Sequence, residues 1–368
     1  MRAGANCPDC GLRCCFGKGV GLNTVTSKAI VQVLTMGGTI AGVSESAVSA
    51  SYQPGARSGA ALLASVPGLA NLGEIRVRDV VAKDSSDLVL EDWAALVDAV
   101  REAIFDESIK GVVITHGTDT MEETAFLLSL VVASVKPVIL VGAMRPATSL
   151  SADGPLNLYN AVSVAIHPDS AQRGVQVVMN DRIMPARWVT KSHTTALEAF
   201  AMPAQGGFGA ASGTVLFGKV QYFEPAPQRS QLDRALLDWP ARDAIGQIKR
   251  VDILYQHVGM VVPSAQHMLD PAGPPVGGLV IAGTGAGNVA GYLKPLIESL
   301  QKNGVVVVRA TRVWAGAVVS DYQQLDSEWG LVSAGALSPH KARILLMLLL
   351  QQTSDLTQVR RYFDRYAC

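Results

Sequence analysis

The stretch GVVITHGTDTMEET, residues 111–124, places two threonines and an aspartate directly after an apolar run. The apolar half is typical of a buried strand, and the second half begins a helix. Thr or Asp is a good N-cap, and Glu122 or Glu123 could complete a capping box, so helix initiation explains one of these polar residues but not all three. Ligands bind at the carboxyl ends of strands in open α/β sheets, so Thr118 and Asp119 are candidate site residues.

Two further polar positions could act together with this segment. Thr39 follows the double glycine of TMGGTIAG, and Lys191 lies in WVTKSHTT. A threonine hydroxyl becomes a nucleophile when a base takes its proton, and a lysine of lowered pKa can do so through a relay. Gly37 and Gly38 would let the backbone approach a substrate and direct N–H groups at a developing oxyanion. This set could perform acyl transfer without histidine.

Other catalytic patterns fit this sequence poorly. The glycines of TMGGTIAG are adjacent, and in GTGAGN Asn288 stands where a Rossmann fingerprint needs a third glycine. Neither G-x-S-x-G nor H-E-x-x-H occurs. His116 beside Thr118 could act as a base, but a histidine at a strand end is more often a hydrogen-bonded structural group. Nucleotide binding and His–Ser or zinc hydrolysis are therefore disfavoured.

Composition points to a small-molecule partner. The chain has 368 residues, 49% of them hydrophobic, and its 31 basic and 31 acidic side chains balance. No overall field would attract nucleic acid or an anionic membrane surface. The first sustained apolar run, AIVQVL, is short, and the later run LLSLVVASVKPVILVGAM is broken by Lys136-Pro137. We therefore expect a cytoplasmic protein without a membrane span.

The cysteines lie at the ends of the chain. Residues 1–28 contain Cys7, Cys10, Cys14 and Cys15, and Cys368 is the last residue. CPDCGLRCC could be a zinc knuckle, but it lacks a second CxxC or a histidine pair at finger spacing. We otherwise expect residues 1–28 to form a disordered extension.

From about residue 29 short β-branched runs alternate with segments of helical period, which is typical of an α/β fold. We predict two α/β domains. The larger N-terminal domain, 29–222, has a parallel-type sheet flanked by helices, and the smaller C-terminal domain covers 251–368. Residues 223–250 are rich in proline and charge, as an interdomain linker would be. The run ILLMLLL near the end is expected to be core.

Two motifs carry a resemblance to a known family. The chain has MGGTIAG at 36–42 and HGTDTMEET at 116–124. Similar blocks follow in order, namely VGAMRPATSLSADGPLNLYNAV, VVMNDRI, VTKSHTT, GTGAGN and GALSPHKARILL. From about residue 29 to its end, the sequence resembles the bacterial-type L-asparaginases and glutaminase-asparaginases.

The resemblance implies a site that needs no metal or organic cofactor. Thr39 matches the acylated threonine, and Tyr52 matches the tyrosine of a flexible lid. Thr118, Asp119 and Lys191 match a second triad, in which the threonine orients or activates the attacking water.

The resemblance also implies substrate contacts and an assembly. Ser85 would hold the substrate α-carboxylate with Ser86 beside it, and Asp119 would hold the α-ammonium. Gly38 and Gly117 would shape the pocket through their backbones. Asn288 and Gln323 would come from a neighbouring subunit. The expected assembly is a homotetramer, a dimer of dimers.

Three positions depart from the family pattern. Met36 replaces the first threonine of the T-G-G-T loop, which we interpret as a structural change. Ser86 replaces a Gln or Glu, and Gln323 replaces a glutamate of the α-ammonium clamp unless Asp321 or Glu328 takes its place. Loss of one charge-assisted contact weakens binding by about 1.5–3 kcal/mol, so we predict a raised Michaelis constant for asparagine.

The expected activity is hydrolysis of L-asparagine to L-aspartate and ammonia through an acyl-threonine intermediate. A glutaminase-asparaginase of broad specificity is the close alternative. The amidase subunit of a tRNA-dependent amidotransferase is disfavoured because the N-terminal segment is too short for its added domain. A non-catalytic amino-acid binder is disfavoured by the intact Thr39, Thr118, Asp119 and Lys191.

Overall fold

The computed structural model describes residues 28–47, 51–202, 211–224, 237–240, 242–264, 268–269, 276–323 and 326–367. Residues 1–27 with their four cysteines, Cys368 and part of the predicted linker lie outside these ranges. The predictions made for the cysteine-containing extension therefore fall outside the described residues.

The N-terminal half forms a large sheet and a two-stranded ribbon. Its strands are β1 Ile30–Gly37, β2 Glu74–Lys83, β3 Ile109–Thr115, β4 Val138–Val141, β5 Val175–Met179, β6 Arg182–Pro185, β7 Thr190–Lys191, β8 Phe200–Ala201, β9 Gly213–Leu216 and β10 Lys219–Tyr222. The eight-stranded sheet has the order β10-β9-β6-β5-β4-β3-β1-β2, and β7 pairs with β8. Strands β1 to β5 are parallel, as predicted.

Strands β6, β9 and β10 add an antiparallel edge that the parallel pattern did not indicate. Two short turns cause it. Asn180 and Asp181 join β5 to β6 with φ of 48° and 61°, and Phe217 and Gly218 join β9 to β10 with φ of 46° and 81°. Two successive residues with positive φ match the twist of a hairpin, so the chain reverses locally instead of crossing over.

Helices cover both faces of this sheet. They are α1 Gly59–Ala64, α2 Leu69–Leu72, α3 Leu90–Phe105, α4 Met121–Val131 and α5 Gly154–Ile166. Helices α3 and α4 share one buried apolar cluster with alternate residues of β3, and α1, α2 and α5 share the other. Central parallel strands are buried on both faces, which explains their continuous apolar runs.

The C-terminal half forms a smaller parallel sheet in the order β11-β12-β13-β14. Its elements are β11 Arg250–Tyr255, β12 Val276–Gly283, α6 Lys294–Lys302, β13 Val306–Thr311, α7 Asp326–Trp329, β14 Val332–Ser333, α8 Pro339–Leu349 and α9 Leu356–Ala367. The predicted α/β fold with a larger and a smaller part is confirmed. The limits proposed for the domains and linker remain predictions.

Helix α8 joins the two halves of the molecule. Its apolar residues 344–349 and the adjoining Leu350 are buried, which confirms that ILLMLLL is core. They belong to the same apolar cluster as Phe126 and Leu130 of α4. No helix among the described residues combines the length and the apolar character needed to cross a bilayer.

Candidate active site

The candidate site lies where the large sheet changes its winding direction. Strand β1 lies between β2 and β3, so the chain passes from β1 to β2 on one side and then crosses β1 to reach β3 on its other side. A crevice forms at the carboxyl ends of the strands at such a switch point. Thr39 follows β1, Ser85 follows β2 and Thr118 follows β3. The topology thus gathers three of the predicted residues at one edge.

Three backbone segments approach one another closely at this edge. A Cβ built on Gly38 would lie 2.3 Å from Cα of Gly117, and one built on Gly117 would lie 2.6 Å from Oγ of Ser85. Real Cβ contacts are not that short, so Gly38 and Gly117 cannot carry side chains here. Gly38 also has φ of 78°, which favours glycine. Both glycines therefore permit the approach of Thr39, Thr118 and Ser85.

Thr39 is buried at the start of a short 3-10 helix, Thr39–Ala41. Its Oγ1 lies 2.7 Å from the Tyr52 hydroxyl, and either oxygen could donate. Two backbone hydrogen bonds between Val43 and Gln53, of 3.1 and 2.8 Å, hold the Tyr52 segment beside this helix. The structure therefore brings the predicted nucleophile and the predicted lid tyrosine into direct contact.

One expectation about the double glycine is wrong. The Gly38 N–H donates to the backbone oxygen of Lys83 at 3.0 Å, so it is not a free donor for an oxyanion. This bond fastens the end of β1 to the end of β2. The amide of Thr39 opens the short helix, and the first amides of a helix have no acceptor within it.

Lys191 joins Thr118 and Asp119. Its Nζ donates to Thr118 Oγ1 at 3.0 Å and to Asp119 Oδ1 at 2.5 Å. The Lys191 side chain is 16% exposed, whereas that of Asp119 is 59% exposed. Asp119 therefore keeps an accessible carboxylate oxygen, and the Thr118 proton remains available to a ligand or a water molecule.

Helix initiation does not explain the polar residues before α4. Thr120 is the N-cap, but its side chain makes no capping bond; its Oγ1 donates instead to the backbone oxygen of Ser85 at 2.8 Å. Glu122 completes no capping box and pairs with His340 at 3.2 Å. Thr120 therefore ties the loop after β3 to the loop after β2.

The two serines after β2 also do not cap α3. The side chain of Asp92 accepts a hydrogen bond from the N–H of Val89 at 2.9 Å, so Asp92 caps the start of that helix. Ser85 is buried, whereas Ser86 is exposed and donates to Asp84 through its N–H and its hydroxyl. Ser85 is thus the serine whose side chain lies against Gly117.

His116 is a structural group, as interpreted from the sequence. Its Nδ1 lies 2.7 Å from the Gly117 carbonyl oxygen and its Nε2 lies 2.9 Å from Thr124 Oγ1. Trp93 Nε1 in turn donates to Thr124 Oγ1 at 2.9 Å. Burial lowers the pKa of His116 to about 4. A neutral imidazole that donates to Gly117 and accepts from Thr124 satisfies every member of this chain.

Asn288 and Gln323 form a separate group on the C-terminal sheet. Asn288 Nδ2 donates to Gln323 Oε1 at 3.2 Å, while Asn288 Oδ1 is buried without a hydrogen-bond partner among the described residues. Within the described ranges, no hydrogen bond connects either residue to Thr39, Thr118 or Lys191. The predicted site residues are thus divided between two places in one chain.

A buried ion pair supports the second group, and sequence reasoning missed it. Arg309 bonds Asp326 through Nε at 2.6 Å and Nη2 at 2.5 Å. The same guanidinium donates to the carbonyl oxygens of Ala286 at 3.2 Å and Val319 at 2.9 Å. It therefore connects the loop of Asn288 to the loop of Gln323. An arginine within a VVVVRAT run was the available signal.

The departures from the family pattern can now be located. Met36 is 1% exposed in the apolar cluster under β1, which agrees with a structural role. Both acidic neighbours of Gln323 already have partners. Asp321 accepts two hydrogen bonds from Ser327, and Glu328 pairs with Lys294 at 3.3 Å.

The chain is thus an α/β protein whose candidate site offers hydroxyl, carboxylate and ammonium groups to a small polar ligand. The chain matches the family description "Asparaginase, N-terminal" over residues 30–222 and "Glutaminase/Asparaginase C-terminal domain" over residues 250–363. These two matches cover most of the sequence. The chain belongs to the asparaginase family.

Individual relatives agree with this assignment. A Haemophilus influenzae protein named "Probable L-asparaginase periplasmic" is 40% identical, covering 95% of this chain and 97% of the relative. A "Glutaminase-asparaginase" of Pseudomonas fluorescens biotype A is 38% identical, covering 94% of this chain and 92% of the relative. The crystal structure of a probable cytoplasmic L-asparaginase from Campylobacter jejuni superposes with a TM-score of 0.83 at 39% identity, covering 92% of this chain and 100% of that structure.

Acidification should destabilise the protein through His116. The unfolded chain protonates this residue near pH 6.5 and the folded chain near pH 4. The stabilisation by the neutral imidazole, about 3 kcal/mol, is therefore present above pH 6.5 and is lost as the pH falls to 4. Urea unfolding between these pH values should show a steeper pH dependence for the native protein than for His116→Gln. Equal slopes would contradict the assignment.

Proposed function

We propose that this protein hydrolyses L-asparagine to L-aspartate and ammonia through an acyl-threonine intermediate. The observation that carries the proposal is the Thr39–Tyr52 contact at the same sheet edge as the bonded Thr118, Asp119 and Lys191. Thr39 supplies a hydroxyl nucleophile and Tyr52 a neighbouring proton carrier, and the second set can act on the ester that forms. This arrangement suits a reaction in which the enzyme is first acylated and then deacylated. The names of the relatives support the same substrate.

The substrate is a zwitterion, and the site offers a group for each end. In the proposal, the Ser85 hydroxyl and the nearby backbone bind the α-carboxylate, with the exposed Ser86 beside them. The accessible oxygen of Asp119 accepts a hydrogen bond from the α-ammonium. Gly38 and Gly117 let the substrate lie against bare backbone. The side-chain amide is thereby held at Thr39, where proximity lowers the barrier to attack.

The first chemical step forms the Thr39 ester. Thr39 Oγ1 attacks the amide carbon, the C–N bond breaks, and the hydroxyl proton passes to the leaving nitrogen, which departs as ammonia. Tyr52, whose hydroxyl lies 2.7 Å from Thr39 Oγ1, is the proposed carrier of that proton. The Thr39 amide is the backbone donor proposed for the developing oxyanion.

The second step hydrolyses the ester. Water adds to the acyl carbon, its proton returns to Thr39 Oγ1, and aspartate is released. Thr118 orients this water, and Lys191 fixes the Thr118 hydroxyl while pairing with Asp119. We thus propose that Lys191 holds the Thr118 hydroxyl in position and balances the charge of Asp119.

Replacing Thr39 tests the reaction. We expect Thr39→Ala to lower ammonia release from L-asparagine by roughly a thousandfold or more, because no ester can form. Thr35→Ala is the matched control, since Thr35 is a buried threonine of β1, the strand before Thr39, and its hydroxyl donates to Asp79. Calorimetry with L-asparagine completes the test: a binder without catalysis would release no ammonia in any variant and would bind in all of them.

We propose that Asn288 and Gln323 complete the site of a neighbouring subunit in a homotetramer built as a dimer of dimers. The separate location of this pair supports the idea, as does the buried Asn288 Oδ1, which has no hydrogen-bond partner in the part of the chain that the structure describes. Apolar side chains such as Val258, Val261 and Tyr322 are also exposed on the same half of the chain. A two-fold contact would cover them and would pair each half-site with its complement.

Mixed assemblies test the shared site. Thr39→Ala and Asn288→Ala should each be poorly active alone, but subunits mixed after reversible dissociation should regain about a quarter of the native activity. In a mixed dimer, one of the two sites carries both native residues, and random pairing makes about half of the dimers mixed. Activity equal to the sum of the separate variants would contradict a site made by two subunits.

Gln323 should set the affinity for the α-ammonium. Gln323→Glu keeps the oxygen that accepts from Asn288 and adds a charge, so we expect the Michaelis constant for L-asparagine to fall by roughly ten- to a hundredfold with kcat little changed. Initial-rate kinetics measure this, with Gln323→Ala as the control that removes the contact. An unchanged Michaelis constant in the glutamate variant would exclude the role.

Broad glutaminase-asparaginase activity is the second candidate, favoured by the relative that bears that name. Parallel assays with L-glutamine decide between the two. We also propose a cytoplasmic location, supported by the name of the Campylobacter jejuni structure, although another relative is named periplasmic. Fractionation of the source cells distinguishes these locations.

A further inference from the structure

Lys341 is a buried cation that belongs to one half of the molecule and bonds the other. It lies in the first turn of α8 and is 3% exposed. Its Nζ donates to the carbonyl oxygens of Ala186 at 3.2 Å, Arg187 at 3.0 Å and Val189 at 2.5 Å. Three N–H donors thus meet three acceptors, and all three belong to the N-terminal half.

The three carbonyl groups form the turn that leads to Lys191. Residues 186–189 connect β6 to β7, and β7 consists of Thr190 and Lys191. The turn is closed on its other side by hydrogen bonds from Trp188 N and Val189 N to the Pro185 oxygen, each 3.1 Å. Convergent carbonyl groups repel one another unless a cation lies between them. The Lys341 ammonium therefore fixes the segment immediately before Lys191.

The same ammonium lies against the helix that follows Thr118 and Asp119. Nζ of Lys341 is 5.8 Å from the centre of the Phe126 ring in α4. Its neighbour His340 pairs with Glu122 of α4 at 3.2 Å. Lys341 thus contacts the turn that precedes Lys191 and the helix that follows Thr118 and Asp119.

We propose that Lys341 is a positioning residue for the reaction, whose protonated ammonium holds the 186–189 turn so that Lys191 reaches Thr118 and Asp119. The inference rests on the proposed function for its kinetic consequences. Lys341 itself touches no substrate. It acts through the backbone of the segment that carries Lys191.

Lys341 can lose its positive charge at a mildly alkaline pH. Burial lowers its pKa to about 8, although the charges of Glu122 and Glu123 act in the opposite direction. Burial acts to raise the pKa of Glu122, but its hydrogen bond to His340 keeps that pKa below the ordinary value. Arg187 adds positive charge from the turn. As the pH rises through about 8, a neutral amine would direct a lone pair at one of the three carbonyl groups.

Loss of this proton should not loosen the fold as a whole. The unfolded chain keeps its proton to about pH 10.5 and the folded chain loses it near 8. The unfolded state therefore binds more protons in that range, and the contribution of Lys341 to the free energy of unfolding rises with pH. A fall in activity with no matching fall in stability separates positioning from unfolding.

The test compares Lys341→Met and Lys341→Arg with the native protein and with Arg343→Met. Arg343 is the matched control because it lies on the same helix and donates to a carbonyl of its own half, that of Val251, at 3.0 Å. Hydrogen exchange of the peptide covering residues 184–192 is measured first. We expect faster exchange there in Lys341→Met than in the control.

Kinetics complete the test. We expect kcat for L-asparagine to fall roughly ten- to a hundredfold in Lys341→Met, as for a small misplacement of a catalytic group, and within twofold in Arg343→Met. In the native protein kcat should fall as the pH rises through about 8. This alkaline fall should be absent in Lys341→Arg, because a guanidinium stays charged. The comparison uses kcat and not kcat/KM, since the substrate α-ammonium also titrates in free solution.

The outcomes separate this proposal from the function. Unchanged exchange in Lys341→Met would overturn the positioning role, as would a native-like kcat in that variant. An alkaline fall that persists unchanged in Lys341→Arg would assign it to another group and overturn the role of the Lys341 charge. A native protein that releases no ammonia would instead overturn the proposed function, and hydrogen exchange alone would then decide the positioning.

Discussion

The contact on which the rest of the site depends is the approach of Gly38 to Gly117. No side chain fits between these two backbones, and Ser85 closes against Gly117 from the next strand end. The approach brings the loops after β1, β2 and β3 closer together than residues with side chains would permit. Two further bonds lock it, from Gly38 N to the Lys83 oxygen and from Thr120 Oγ1 to the Ser85 oxygen. The side chains of the candidate site are therefore positioned by the backbone as well as by their own contacts.

Two lysines position other parts of the candidate site. Lys191 is inside the candidate site and bonds a hydroxyl and a carboxylate, whereas Lys341 lies behind it and, among the described residues, bonds only carbonyl groups. A buried ammonium without a directly bonded carboxylate is costly unless all its donors are satisfied. Three backbone oxygens meet that requirement, and they lie on the other half of the molecule. The contact that joins the two halves of the molecule therefore also fixes the segment that carries Lys191.

Much of the site followed from the sequence because it depends on local order. The period of the apolar residues predicted the strands and helices, and polar residues at the ends of β1 and β3 fall together in any parallel sheet with this winding. The sheet order could not be read from period alone, since nothing local says that β1 lies between β2 and β3. Tyr52 came only from the resemblance, because a tyrosine in a serine-rich loop has no distinguishing pattern.

The misreadings share a physical cause. Thr120 was available as a helix cap and the Gly38 amide as an oxyanion donor, yet Thr120 Oγ1 bonds the Ser85 oxygen and the Gly38 amide fastens two strands. Arg309 and Lys341 were missed for the same reason. Their partners are carbonyl groups and a carboxylate gathered by the fold, and a single basic residue in an apolar run does not reveal which of these it will meet.

The charges of the site form a last constraint. Lys191 already neutralises much of Asp119, so the carboxylate that would receive an α-ammonium is shared with a resident cation 2.5 Å away. A second negative charge would offset that sharing, and Gln323 does not supply one. Asp321 and Glu328 cannot move in without giving up Ser327 and Lys294. The uncharged amide retains its bond to Asn288, which keeps the shape of this part of the site while lowering its attraction for a cation. Under the proposed function, an uncharged residue 323 therefore leaves the binding of the α-ammonium mainly to the exposed oxygen of Asp119.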